Sequence, residues 1–131
     1  MNALRRDIAR CMTPPVTDAA GCVSAQCVFP PEFTGFQGHF PGRPILPAVC
    51  MVQAVLVLME TARRRRMTLK EIVSAKWSAP AGPGTPIQIT AREDVDGGGM
   101  ATIRATLSGP REPLAEIKLR VAYEPDGKGA V

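Results

Sequence analysis

The pattern of apolar and polar positions changes character along the chain. Residues 3–12 form a short amphipathic segment, and the Thr13-Pro14-Pro15 that follows predicts its end as a helix. Residues 21–29 (GCVSAQCVF) alternate loosely as a strand does, and Pro30 and Pro31 stop them. The next stretch, EFTGFQGHFPGRP, has no period and reads as a loop. Residues 48–59 (AVCMVQAVLVLM) are apolar except for Gln53, so a helix here must be buried on nearly every side. Pro47 suits its first turn, where a missing N–H costs nothing. The valines also permit a buried strand, since periodicity alone does not separate the two. Length and the following Glu60-Thr61-Ala62-Arg63 favour the helix.

Beyond the helix the pattern turns β. Residues 71–78, 87–93, 100–107 and 114–123 predict strands. Residues 80–86 and 108–113 predict turns, and Asp96-Gly97-Gly98-Gly99 predicts a hairpin. In the last strand Glu116, Lys118 and Arg120 share one face. Residues 124–131 read as a frayed tail. One helix wrapped by an antiparallel sheet is an α+β arrangement, expected as a single domain over residues 1–131 with residues 1–20 as an N-terminal segment. There are no internal repeats.

Composition narrows the function class. The chain has 131 residues, 45% apolar and 21% charged, as expected of one globular domain with a real core. No run approaches the roughly 20 apolar residues of a membrane span. The N-terminus has arginines but no apolar core of a secretory signal, so the expected location is the cytoplasm. The 4 cysteines include no C-x-x-C pair and only 1 histidine accompanies them, which argues against zinc and for reduced structural thiols. A net charge of +4 suggests a mildly anionic partner, with the excess gathered in Arg63, Arg64, Arg65 and Arg66. Nucleic acid is not expected, because the chain has few aromatics and none interleaved with the basic residues.

The candidate chemistry lies in GHFPGRPILPAVCMVQA, residues 38–54. A glycine- and proline-rich loop holds the lone His39 ahead of a helix N-terminus. That N-terminus offers unpaired N–H groups and the positive end of the dipole to a carbonyl oxygen gaining charge. An imidazole with an ordinary pKa of about 6.5 is a competent base at neutral pH. These parts fit proton abstraction beside a carbonyl, although a lone histidine is more often a structural residue.

HFPGRPILPAV resembles the signature of the β-hydroxyacyl-acyl-carrier-protein dehydratases of the FabZ/FabA type, which have the hotdog fold. Phe33-Thr34-Gly35-Phe36-Gln37 and Ala75-Lys76-Trp77-Ser78-Ala79-Pro80, with Pro83-Gly84, extend the likeness over residues 21–123. The resemblance implies a curved antiparallel sheet around a central helix, and a double-hotdog dimer with active sites at its interface. His39 then matches the base that removes the α-proton of a 3-hydroxyacyl thioester. Ala48, where the family has glycine, supplies the amide for the thioester carbonyl. Phe40, Gly42, Pro47 and Val49 fall in the substrate-binding part of the motif. Met51, Val52, Val55, Leu56 and Met59 match positions that line the acyl tunnel and interface, or simply pack the core. The arginine run is a candidate docking site for an acidic carrier protein whose phosphopantetheine arm delivers the substrate. No other cofactor is implied.

Gln53 stands where the family has a carboxylic acid. A primary amide donates and accepts hydrogen bonds but does not titrate near neutral pH, and loss of a general acid typically removes a factor of about 10²–10⁴ in rate. Glu60 lies about 10 Å further along a helix, too far to substitute directly, and Glu32 is the other nearby carboxylate in sequence. Three functions follow: a dehydratase acting on carrier-bound 3-hydroxyacyl chains in fatty-acid, lipid or polyketide synthesis; an incomplete subunit paired with a complete homologue; or an acyl-thioester binding protein or thioesterase on the same fold.

Overall fold

The computed structural model describes residues 2–37 and 42–125. Helix α1 (Ala3–Arg10) starts at Asn2, whose side-chain oxygen accepts the Arg5 N–H at 2.8 Å. This satisfies one of the donors that a helix start leaves open. The helix buries Ile8 and ends before the prolines, two residues inside the expected segment. Helix α2 (Ala48–Arg63) is the expected central element, and Val55, Leu56, Leu58 and Met59 on it have no exposed surface at all (0%). Pro47 sits just outside it, at the N-cap and not in the first turn.

The C-terminal end of α2 is closed by Arg64, which adopts the left-handed conformation (φ 55°) and donates its N–H to the Glu60 carbonyl. That conformation is uncommon for a residue other than glycine. It turns the chain at once into strand β3 (Met67–Trp77), so the strand begins before residue 71, where the sequence pattern had put its start. Met67-Thr68-Leu69-Lys70 does alternate, but it follows the arginine run too closely to stand out as a strand.

The sheet has six antiparallel strands in the order β1-β2-β4-β5-β6-β3. The remaining members are β1 (Val16–Thr17), β2 (Val23–Cys27), β4 (Ile87–Val95), β5 (Met100–Ser108) and β6 (Pro113–Tyr123). Strand β1 is not among the expected elements, because two residues carry no period. Alternation along β2, β4, β5 and β6 sends Val23, Ile89, Ile103 and Leu119 into the core that α2 shares. In β6, Glu116, Lys118 and Arg120 do alternate with buried Ile117, Leu119 and Val121.

Two features differ from expectation in ways that matter for the site. Residues 80–86 are not a hairpin turn. Strand β3 pairs with β6 while β4 pairs with β2 and β5, so this segment crosses from one side of the sheet to the other. On the way the Ala81 carbonyl accepts the Leu46 N–H at 2.8 Å, and Gly84 donates to the Phe29 carbonyl at 2.8 Å. The crossover thus fastens the segment that enters α2. Within the stretch expected as a loop, Thr34–Phe36 form a short 3₁₀ turn that packs Phe36 inward.

The second feature is β3 itself. It is an edge strand of 11 residues, carrying exposed Ile72, Val73 and Trp77, and its pairing with β6 is broken by irregularities at Leu69/Glu71 and Ile72/Ser74. Such bulges bend and twist a strand. A long edge with apolar side chains on it is a template for pairing with another chain.

Candidate functional site

The site is built around the start of α2. Gly42 has φ 85°, a conformation that favours glycine, where the chain re-emerges from the segment that precedes it. Leu46 is buried and tied to Ala81, so the approach to the helix is anchored from both sides. At the N-cap, Pro47 has no side chain able to cap, and no side-chain cap bond is made. Its carbonyl accepts from the Cys50 and Met51 N–H groups at 3.0 and 3.3 Å. Ala48 and Val49 form the exposed first turn, Val49 with 56% of its surface accessible. From Cys50 to Glu60 the helix is buried on nearly every side, as expected, but its first turn is open.

Beside that turn lies a groove of about 330 Å³, walled by Ile45, Leu46, Ala48, Met51 and Trp77 and floored by residues 78–80. It is largely apolar and opens next to backbone N–H groups at a positive helix end. This juxtaposition suits a molecule with an apolar chain and a polarisable carbonyl. Of the five helix residues expected to line such a site, only Met51 reaches this groove. Val52, Val55, Leu56 and Met59 are core residues with 3% exposure or less.

Gln53 sits half-buried one turn further along. Its Oε1 accepts the Arg5 Nε–H at 2.6 Å. Arg5 also reaches Glu60, with Nη1 3.1 Å from Oε2. The same Oε2 accepts the Met67 N–H at 2.8 Å. One guanidinium from α1 thus bridges Gln53 and Glu60 of α2, and Glu60 ties down the start of β3. Because arginine only donates, the Gln53 atom facing it must be the oxygen. Arg5 is not among the residues that the sequence singles out. The available signal was that Gln53 and Glu60, seven apart in an apolar helix, share one face and need a common partner.

The other candidate residues fall elsewhere. Glu60 is only 8% exposed and is committed to Arg5 and Met67, so it is no free acid. Glu32 is exposed and lines a separate groove with Asp7 and Arg10. In the arginine run, Arg63 is paired with the buried Glu93 at 2.7 Å. Arg65 lies over the Tyr123 ring at 4.7 Å and donates to the Glu124 carbonyl. Arg64, Arg65 and Arg66 are exposed and line a groove with Arg5 and Glu124. His39 and Phe40 lie outside the described residues, so their expected roles are not tested by the fold.

The cysteines are free, and their thiols are pushed up by burial at Cys11, Cys50 and, to about 12, at Cys27. Such thiols stay protonated and unreactive at neutral pH. Among the described residues, no three His, Cys, Asp or Glu side chains come together as a metal site. No described helix is long and apolar enough to cross a membrane.

Residues 16–105 match the family model for the ApeI dehydratase, "ApeI-like". The 3-hydroxyacyl-[acyl-carrier-protein] dehydratase FabZ of Wolbachia sp. subsp. Drosophila simulans is 33% identical over 96 residues, covering 68% of this chain and 67% of that relative. The FabZ of Latilactobacillus sakei is 31% identical over 91 residues, covering 63% of this chain and 65% of the relative. Among solved structures, one from the dehydratase heterocomplex ApeI:P of Xenorhabdus doucetiae superposes with a TM-score of 0.69 at 22% identity, covering 85% of this chain and 96% of that one. The fluoroacetyl-CoA thioesterase FlK also gives a TM-score of 0.69, at 14% identity, covering 83% of this chain and 89% of that one. At these identities the structural likeness establishes the hotdog fold and nothing about chemistry.

Proposed function

Since the chain belongs to the ApeI-like dehydratase family, we propose that it dehydrates 3-hydroxyacyl thioesters, carried on the phosphopantetheine arm of an acyl carrier protein, to the trans-2-enoyl thioesters. The observation that carries this reading is the uncapped first turn of α2 opening beside an apolar groove. The acyl chain lies along Ile45, Met51 and Trp77, and the thioester oxygen accepts the Ala48 N–H. The helix dipole then stabilises charge that grows on that oxygen as the α-proton leaves.

His39 is the base. It takes the proton from Cα, the electron pair forms the Cα=Cβ bond, and the Cβ–O bond breaks. Gln53 cannot supply a proton, so the imidazolium returns the one it took, and the oxygen departs as water. Gln53 holds that oxygen by hydrogen bonding only. The site is shared across a double-hotdog dimer, with His39 from one protomer facing Gln53 of the other. The open β3 edge and the exposed Ala48–Val49 turn support such a pairing. Arg64 and Arg66, with no ion pair among the described residues, are the part of the arginine run left to receive an acidic carrier protein.

The amide at position 53 favours one second reading. A subunit with His39 but no acid works in a heterodimer when the complete homologue supplies the carboxylic acid. The solved neighbour described as a dehydratase heterocomplex makes that reading concrete. The test is purified protein with a 3-hydroxyacyl carrier thioester, as wild type, His39→Ala and Gln53→Glu. Enoyl product from the wild type, lost in His39→Ala, supports the dehydratase. Activity only in Gln53→Glu, or only with an added homologue, supports the incomplete subunit. Free acid with released thiol would instead point to a thioesterase.

A further inference from the structure

We propose that Arg5 is a positioning residue for the reaction: it locks Gln53 as a fixed hydrogen-bond donor to the substrate's 3-hydroxyl. The inference rests on the reading that position 53 faces the reacting end of a 3-hydroxyacyl chain, and it adds a residue from α1 that neither the motif nor the family likeness contains.

The argument starts from the inventory of the amide. Glutamine offers one acceptor oxygen and two N–H donors, and a free side chain presents either edge by flipping. Here the 2.6 Å bond from Arg5 Nε occupies the oxygen. Arg5 is itself held, because Nη1 is 3.1 Å from Glu60 Oε2, and Glu60 is anchored by the Met67 N–H at 2.8 Å. The guanidinium is planar and has only 15% of its side chain exposed, so its fork fixes both partners at once. Flipping Gln53 would set its NH₂ against a cation that only donates. Among the described residues, Gln53 Nε2 donates to nothing and is not one of the buried unpartnered atoms. The oxygen edge is thus turned to Arg5 and the NH₂ edge away from it, so the amide presents its donors on the free side.

A hydroxyl that is about to leave carries growing negative charge, and a fixed donor is complementary to it. The same arrangement bears on why an amide works here. A carboxyl group introduced by Gln53→Glu would face Arg5 from α1 and Glu60 from α2, with Arg64, Arg65, Arg66 and Glu124 lining the groove beyond. The nearest of these, the Arg5 cation, would hold it ionised. It would then be an acceptor where the leaving oxygen needs a donor.

The test uses two unreactive pantetheine amides, one bearing a 3-hydroxyacyl chain and the other the same chain without the hydroxyl. The wild type should bind the hydroxylated compound about tenfold more tightly, the effect of one hydrogen bond. The preference should vanish in Gln53→Leu and in Arg5→Met combined with Glu60→Gln, a pair chosen so that no buried carboxylate loses its partner. Arg5→Lys should restore part of it. In the wild type, the Gln53 side-chain amide resonances should shift with the hydroxylated ligand and not with the other.

Equal binding of the two compounds by the wild type would overturn the role of Arg5 and Gln53 while leaving thioester recognition standing. So would a preference that survives in the folded double variant. An Arg5-dependent preference without enoyl formation would keep this inference and sink the dehydration. Failure of both compounds to bind would sink both.

Discussion

The two ends of α2 are built on opposite rules. At its C-terminal end the buried polar side chain and the chain reversal are held by specific partners. Arg64 closes the helix in the left-handed conformation, Glu60 is shared between Arg5 and the Met67 amide, and Arg63 is paired with Glu93. At its N-terminal end the first turn has no side-chain cap, Val49 is exposed, and an apolar groove runs alongside. Native helices usually satisfy their open N–H groups, and this uncapped end beside a groove is where the proposed function seats the thioester carbonyl. The difference separates the end that stabilises the fold from the end available for chemistry. Gln53 lies between them, bound on its oxygen to the structural side.

That contrast is broken most severely by Glu60→Ala. The substitution strips a buried amide and a largely buried guanidinium of their acceptor, and should cost about 3 kcal/mol. Urea unfolding measures it, and a loss below about 1 kcal/mol would mean that the C-terminal network is not what holds the helix.

Gly35→Ala tests the opposite end from beneath. A Cβ at Gly35 would stand 2.5 Å from Phe33 Cε2 and 2.8 Å from Cys50 Sγ, both in the core below the first turn of α2. Overpacking of this kind costs about 1–3 kcal/mol. The same unfolding measurement should show that loss, and substrate affinity should fall with it because the turn is displaced.

The smallest expected effect on stability is at the open end itself. Val49→Asp places an exposed carboxylate in the first helical turn, where the dipole favours it, so stability should change by no more than about 0.5 kcal/mol. Association between protomers should nonetheless weaken in sedimentation, because the charge would be buried in the proposed interface. An unchanged dimer would remove this turn from that interface.

Much of this was legible in the sequence, for physical reasons that can be traced. The central helix announced itself by apolar residues over more than three turns, and β4, β5 and β6 by alternation. The motif around His39 carried the family because its glycines and prolines stand in the order of the family signature, and the family match over residues 16–105 agrees with it. The failures were non-local. Residues 80–86 look like a turn because a turn and a crossover share the same glycines and prolines, and only strand pairing tells them apart. Val52, Val55, Leu56 and Met59 took the second of the two places open to them, the core, since an apolar residue does not declare which surface it meets. Arg5 was invisible because its partners lie 48 and 55 positions away.

The central claim is that the site removes water across Cα–Cβ and leaves the thioester intact. The most direct measurement incubates the protein with a 3-hydroxyacyl carrier thioester in heavy-oxygen water and finds the label by mass spectrometry. Reversible dehydration predicts heavy oxygen at C3 of an intact 3-hydroxyacyl thioester, with none incorporated by His39→Ala. Label in the carboxylate of a released acid, with C3 unlabelled, would contradict the account.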